Sequence, residues 1–200
     1  MILPLLEIPQ QIEARFIELP SGLQAHTLRV NEIAQVLAHL YGLDPKLVGL
    51  AALTHDIARA MRGKDLLRHA TRLGLPINPV EAAMPLLLHG PVGSRLIAEE
   101  AGIEEPDVLE AVYWHTTFGV GLSPISKVVF LADKLDPAKA SRYPFVDGEL
   151  MGLARKDMDR AILLFIDQEL NKYIGNGGLV HPASVDARNH ILMAHKMSVS

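Results

Sequence analysis

His55 and Asp56 sit side by side in LAALTHDIARA (Leu50 to Ala60), a stretch that is otherwise apolar almost throughout. An ionised carboxylate without a partner costs several kcal/mol or more to bury. Read as helix, adjacent residues diverge by about 100°, so one buried stripe does not hide both side chains. An imidazole and a carboxylate in that setting call for a shared charge partner, and a metal ion supplies one. The simpler alternative is a His–Asp hydrogen bond on a half-buried helix.

Four more residues of the same chemistry stand at or beside apolar helix faces: His26, His89, His115 and Asp133. Neutral imidazoles and carboxylates without sulfur suit a divalent ion such as iron or manganese, and suit magnesium less well. The chain has no cysteine, so it has neither thiolate ligands nor disulfides. His39, His69, His190 and His195 fall outside this pattern and read as ordinary core or surface residues.

The elements that must position these groups read as helices. From Ser21, the residues Leu23, Thr27, Val30, Ala34, Leu37 and Tyr41 form one face of a helix that Gly42 ends. His26 and Arg29 flank that face three residues apart, so they emerge on one side. Asp44-Pro45 supplies a cap and a first-turn proline for a central helix carrying His55 and Asp56. Further helices are predicted from Gly63 to Leu73, from Asn78-Pro79 towards Leu88, and from Val92 to Ala101, with His89-Gly90-Pro91 as a break. Pro106 opens the next, through His115 to Thr117, and Ser123-Pro124 caps one that carries Asp133 and ends at Pro137. Asp147 to Tyr173 reads as one long or broken helix. The glycine-rich loop Gly175 to Pro182 precedes a final helix from about Ser184. No segment alternates as a strand, so an all-α, single-domain helical bundle is expected.

Two hundred residues at 49% hydrophobic content are enough for one sizeable core, and a net charge of −4 argues against a nucleic-acid surface. No run approaches the roughly twenty apolar residues of a membrane span, and the N-terminus lacks the pattern of a signal peptide. These features point to a soluble cytoplasmic protein.

The order His, His-Asp, Asp on successive helices resembles the HD superfamily of metal-dependent phosphohydrolases. SGLQAHTLRV, LAALTHDIAR, LLLHGPVGSRLI, LEAVYWHTT and KVVFLADKLDP together resemble its YqeK family, the symmetrical diadenosine tetraphosphate hydrolases. The likeness runs from about residue 20 to about residue 190. It implies an HD domain over residues 21–200 behind an N-terminal extension, 1–20. It implies metal ligation by His26, His55, Asp56 and Asp133, most readily of iron, with manganese as the other choice. His89, His115 and Thr116 would face phosphate, with Arg29 as a clamp and Lys139 near it. Asn176, Gly177, Gly178 and His181 would lie around the nucleotide. Asp56, His89 and His115 would serve the chemistry, one of them taking a proton from water. The ligand would be a dinucleoside polyphosphate or a nucleoside diphosphate, and a homodimer is compatible with all of this.

Two positions depart from the family pattern. Lys139, with Arg142 nearby, stands where arginine is common, which keeps the charge but loses the planar fork. The family's HTTG appears as His115-Thr116-Thr117-Phe118-Gly119, with Phe118 interposed. From the residues, GNGGLVHP can equally be a helix terminator, His181 a structural residue, and Trp114 and Tyr113 core. Two rival functions are an HD-type nucleotide phosphomonoesterase and a nucleotide-binding module without turnover.

Overall fold

The computed structural model describes residues 8–140 and 146–197; side chains are described at 8–140 and 148–194. The side chain of His195 and the whole of Arg142 lie outside the described residues. No strand occurs among the described residues, and the fold is all-α. The helices are α1 (Gln10–Glu18), α2 (Ser21–Tyr41), α3 (Pro45–Thr54), α4 (Gly63–Arg72), α5 (Pro79–Ala83), α6 (His89–Ala101), α7 (Pro106–Trp114), α8 (Pro124–Lys134), α9 (Met151–Ala154), α10 (Met158–Gly175) and α11 (Pro182–Met197).

The centre of the bundle is α3, which packs against α2, α7 and α8. Asp44 caps it by accepting from the Lys46 N–H at 2.8 Å, and Pro45 fills the first turn. Its apolar residues need no single stripe, because neighbours cover Val48, Ala51, Ala52 and Leu53 on several sides. Thr27, Val30, Ala34 and Leu37 of α2 are buried as their spacing predicts, and Gly42 ends that helix with φ 64°. On α1, Ile12 and Phe16 are buried.

Three boundaries differ from expectation. The central helix stops at Thr54, so His55 and Asp56 occupy the turns after it instead of lying within it. There, as in α3, neighbours cover the chain on several sides, so both side chains are buried, at 0% and 5% exposure. The segment towards Leu88 divides at Met84, where α5 gives way to a 3-10 turn, Pro85–Leu88. The run His89-Gly90-Pro91 does not break a helix but opens α6. A proline in the first turn forgoes a donor that has no helical partner there. A Cβ on Gly90 would come within 2.7 Å of the Tyr113 carbonyl oxygen, so glycine lets α6 approach the end of α7.

Candidate active site

Three of the four inward histidines directly follow a helical turn: His55 after α3, His89 after the 3-10 turn and His115 after α7. Carbonyls in a last turn lack helical partners, and each histidine uses one. The Nδ1–H of His55 donates to the Ala52 oxygen at 2.7 Å, that of His89 to Leu86 at 2.5 Å and that of His115 to Val112 at 2.8 Å. His26 does the same with a side chain, its Nδ1–H donating to Asp136 Oδ2 at 2.5 Å. With Nδ1 committed, each neutral imidazole turns the Nε2 lone pair inward.

The inward atoms form two sets that share Asp56. His26 Nε2 lies 3.7 Å and His55 Nε2 lies 3.6 Å from Asp56 Oδ2. Asp133 Oδ1 is 3.0 Å from His26 Nε2 and 3.6 Å from His55 Nε2. On its other side, Asp56 Oδ1 is 3.0 Å from His89 Nε2 and 3.4 Å from His115 Nε2. Ligand atoms of His26, His55 and Asp56 all lie within 4.8 Å of one another, as do those of Asp56, His89 and His115. His55 Nε2 is fully buried and has no hydrogen-bond partner among the described residues. An orphaned buried acceptor among carboxylates is what a divalent cation would satisfy, and the nitrogen–oxygen donor set fits one.

The charges agree with this geometry. Burial alone would raise the pKa of Asp56, but the facing imidazoles of His55, His115 and His89 hold it well below the usual carboxylate range. Asp133 is likewise buried yet held ionised by Lys134, Lys139 and His26. Burial, only partly offset by Asp56, lowers His115 to about 4. Burial also works against a charged His55, but Asp56 and Asp133 outweigh it, so its pKa is raised.

A supporting layer surrounds the cluster. Asp136 is 0% exposed and accepts from Arg29 Nε–H at 2.7 Å, Arg29 Nη2–H at 2.9 Å and the Ala138 N–H at 3.1 Å. Arg29 thus grips a protein carboxylate with two of its donors. Lys134 Nζ donates to Asp133 Oδ2 at 2.7 Å and to the His115 carbonyl at 3.1 Å, and lies 4.9 Å over the Phe130 ring. Lys139 Nζ also donates to Asp133. Asp136 escaped the sequence reading, whereas Lys134 pairs with Asp133 as that reading allowed, but buried and not at the surface. The available signal was the three-residue step from Asp133 to Asp136, which keeps both carboxylates on one side.

A cavity of about 190 Å³ opens onto the cluster, with Asp56, His89, His115, Asp133, Lys134 and Lys139 in its wall. Thr116 lines it too, its hydroxyl 3.2 Å from His89 Nε2 and 3.0 Å from His115 Nε2. Of the glycine-rich loop, Leu179 and His181 reach the wall, whereas Asn176, Gly177 and Gly178 do not. Those three residues end α10: the Gly178 N–H returns to the Tyr173 oxygen at 2.8 Å, and Gly177 has φ 65°. His181 faces Glu81 Oε1 at 3.4 Å and Asn78 Nδ2 at 2.9 Å, and its Nδ1 accepts from the Ala183 N–H at 3.2 Å. Phe118 adopts φ 61° and is buried against Phe130, ring centroids 4.8 Å apart, outside the cavity wall.

Residues 23–138 match the HD domain family. The chain is 33% identical to the symmetrical bis(5′-nucleosyl)-tetraphosphatase of Halalkalibacterium halodurans, over 86% of this chain and 89% of the relative. It is 33% identical to the protein of that name from Bacillus subtilis, over 69% and 72% of the two chains. The fold superposes with a TM-score of 0.86 on a Clostridium acetobutylicum protein described as an HD superfamily hydrolase involved in NAD metabolism. That comparison has 29% identity and covers 92% of this chain and 96% of the other. With the His, His-Asp, Asp order gathered around one buried point, the chain belongs to the HD domain family.

Proposed function

We propose that this protein is a metal-dependent hydrolase that cleaves dinucleoside tetraphosphates symmetrically into two nucleoside diphosphates. The observation that carries this reading is the inward-facing set of Nε2 and carboxylate atoms at the floor of a cation-lined cavity. The names of the relatives from H. halodurans, B. subtilis and Staphylococcus aureus supply the substrate class.

In this reading His26, His55, Asp56 and Asp133 hold a divalent ion, iron in preference to manganese. When bound, such an ion lowers the pKa of water and draws charge from a phosphoryl oxygen. His89, His115 and Thr116 hold the phosphate beside it, and Asp56 or one of the two imidazoles accepts the proton of the attacking water. Lys139 lies close enough to meet phosphate charge. Arg29, which grips Asp136 and stands outside the cavity wall, would clamp the same chain of phosphates only through the remainder of its guanidinium. The unit responsible is residues 21–200, and the loop from Asn176 to His181 borders the nucleotide.

A second reading, with two ions sharing Asp56, is favoured by one distance. His89 Nε2 and His115 Nε2 face each other at 2.9 Å, and two lone pairs need a cation or proton between them. Chromatography of the products from diadenosine tetraphosphate, across a metal series, tests the function. ADP as the sole initial product is expected; ATP plus AMP would sink the symmetric assignment, and release of inorganic phosphate from monophosphates would favour a monoesterase.

A further inference from the structure

We infer that Arg59, Val80, Met84 and Leu86 form a second nucleoside diphosphate subsite, which holds the half of the substrate that leaves the site. This rests on the reading of the protein as a dinucleoside tetraphosphate hydrolase.

Two groups of elements line the cavity around the imidazoles. One is α10 with the loop before α11, which contributes Ile166, Leu170, Tyr173 and Leu179. The other is the turn after Asp56 with α5 and the 3-10 turn, which contributes Arg59, Val80, Met84, Leu86 and Leu87. The groups meet where His181 contacts Asn78 and Glu81. Each carries an apolar strip of the kind a nucleobase packs against. A substrate with a nucleoside at each end of four phosphates, cut at its centre over His89 and His115, needs two such strips.

Charge singles out Arg59. The cavity's other cations, Lys134 and Lys139, are both held on Asp133. Arg29 is held on Asp136 and Arg62 on Asp65. Arg59 is half-buried in the wall, and no carboxylate among the described residues pairs with it. A guanidinium left without an acid beside a reacting phosphate chain suits bidentate binding of a diphosphate. The strip of α5 and the 3-10 turn in the same wall is exposed, with Met84 at 36% and Leu86 at 42%, so apolar area waits there for a partner.

Arg59→Ala, Arg59→Lys and Met84→Ser separate the two halves. For each, kcat/KM on diadenosine tetraphosphate, the inhibition constant of ADP and the metal content are measured. A charge-assisted contact accounts for roughly a 10- to 100-fold fall in kcat/KM for Arg59→Ala, and Arg59→Lys recovers part of it. Met84→Ser lowers kcat/KM on the dinucleotide but not on adenosine 5′-tetraphosphate, which has no second nucleoside. ADP inhibition and metal content stay at wild-type values, because ADP occupies the other half. An ADP inhibition constant that rises in step with the loss, or an unchanged kcat/KM in all variants, overturns the second subsite. Wild-type protein that leaves the dinucleotide intact sinks the functional reading itself, a result distinct from either.

Discussion

His89 and His115 meet Nε2 to Nε2 at 2.9 Å although each has already committed its Nδ1–H to a carbonyl three residues back. Asp56 Oδ1 stands 3.0 Å from the first and 3.4 Å from the second. The carboxylate therefore has one oxygen on this pair and the other on His26 and His55. That division makes Asp56 the joint between the two sets of imidazoles, the proposed ion-holding and phosphate-facing sides of the site.

His55→Ala and Asp56→Ala should each abolish metal binding. Either change removes a ligand and leaves the other buried groups without their counter-charge. Elemental analysis of folded variants, checked by circular dichroism, decides this. Wild-type metal content in either one would show the ligand set to be misassigned.

His115→Ala and His89→Ala should lower turnover about 100-fold or more, the range expected for loss of a group acting in the transition state. With one ion in the site, metal content stays near that of the wild type. With two, it falls by about half in both variants, and the reading with two ions sharing Asp56 replaces the first. Metal stoichiometry and kcat measured on the same preparations separate the outcomes.

Asp136→Asn should weaken metal binding about 10- to 100-fold, the usual effect of losing the partner that orients a ligating histidine. The same variant has a pH signature in metal-free protein. Burial would raise the Asp136 pKa, but Arg29 and His26 bring it from 3.8 down to about 2. A carboxyl held low when folded adds stability that is complete above the unfolded value and disappears as pH falls through the folded one. The contribution is about 2 kcal/mol, present above about pH 4 and lost towards pH 2. Urea unfolding of wild type and variant should therefore differ most near neutral pH, with the gap closing in acid. A gap constant down to pH 2 would argue against this ionised pair.

Gly90→Ala should destabilise the fold by about 1–3 kcal/mol, the usual range for overpacking. Its methyl group would sit 2.7 Å from the Tyr113 oxygen and 3.3 Å from His115 Cε1. The end of α7 has to move, and His115 with it. Thermal unfolding and turnover should fall together; a variant with wild-type Tm would mean that α6 shifts without strain.

The sequence alone determined the helical fold, several helix caps and the absence of thiolate chemistry, and its motif order picked out His26, His55, Asp56 and Asp133 as the expected ligand set. The first three follow from local features: apolar spacing, Asp44-Pro45 and Ser123-Pro124 as helix starts, Gly42 and Gly102 as stops, and a chain without cysteine. Only the tertiary structure decided where each imidazole spends its protons, because that depends on carbonyls left over at helix ends and on Asp136, which lies 110 residues from His26. It also decided that His55 and Asp56 are both buried, since neighbouring elements cover the chain from Thr54 to Ala58 on several sides and no single stripe is needed. The two arginines likewise separated only in space. Arg29 found Asp136 across the bundle, whereas Arg59, one turn beyond the His-Asp pair, was left in the cavity wall with no acid paired to it among the described residues.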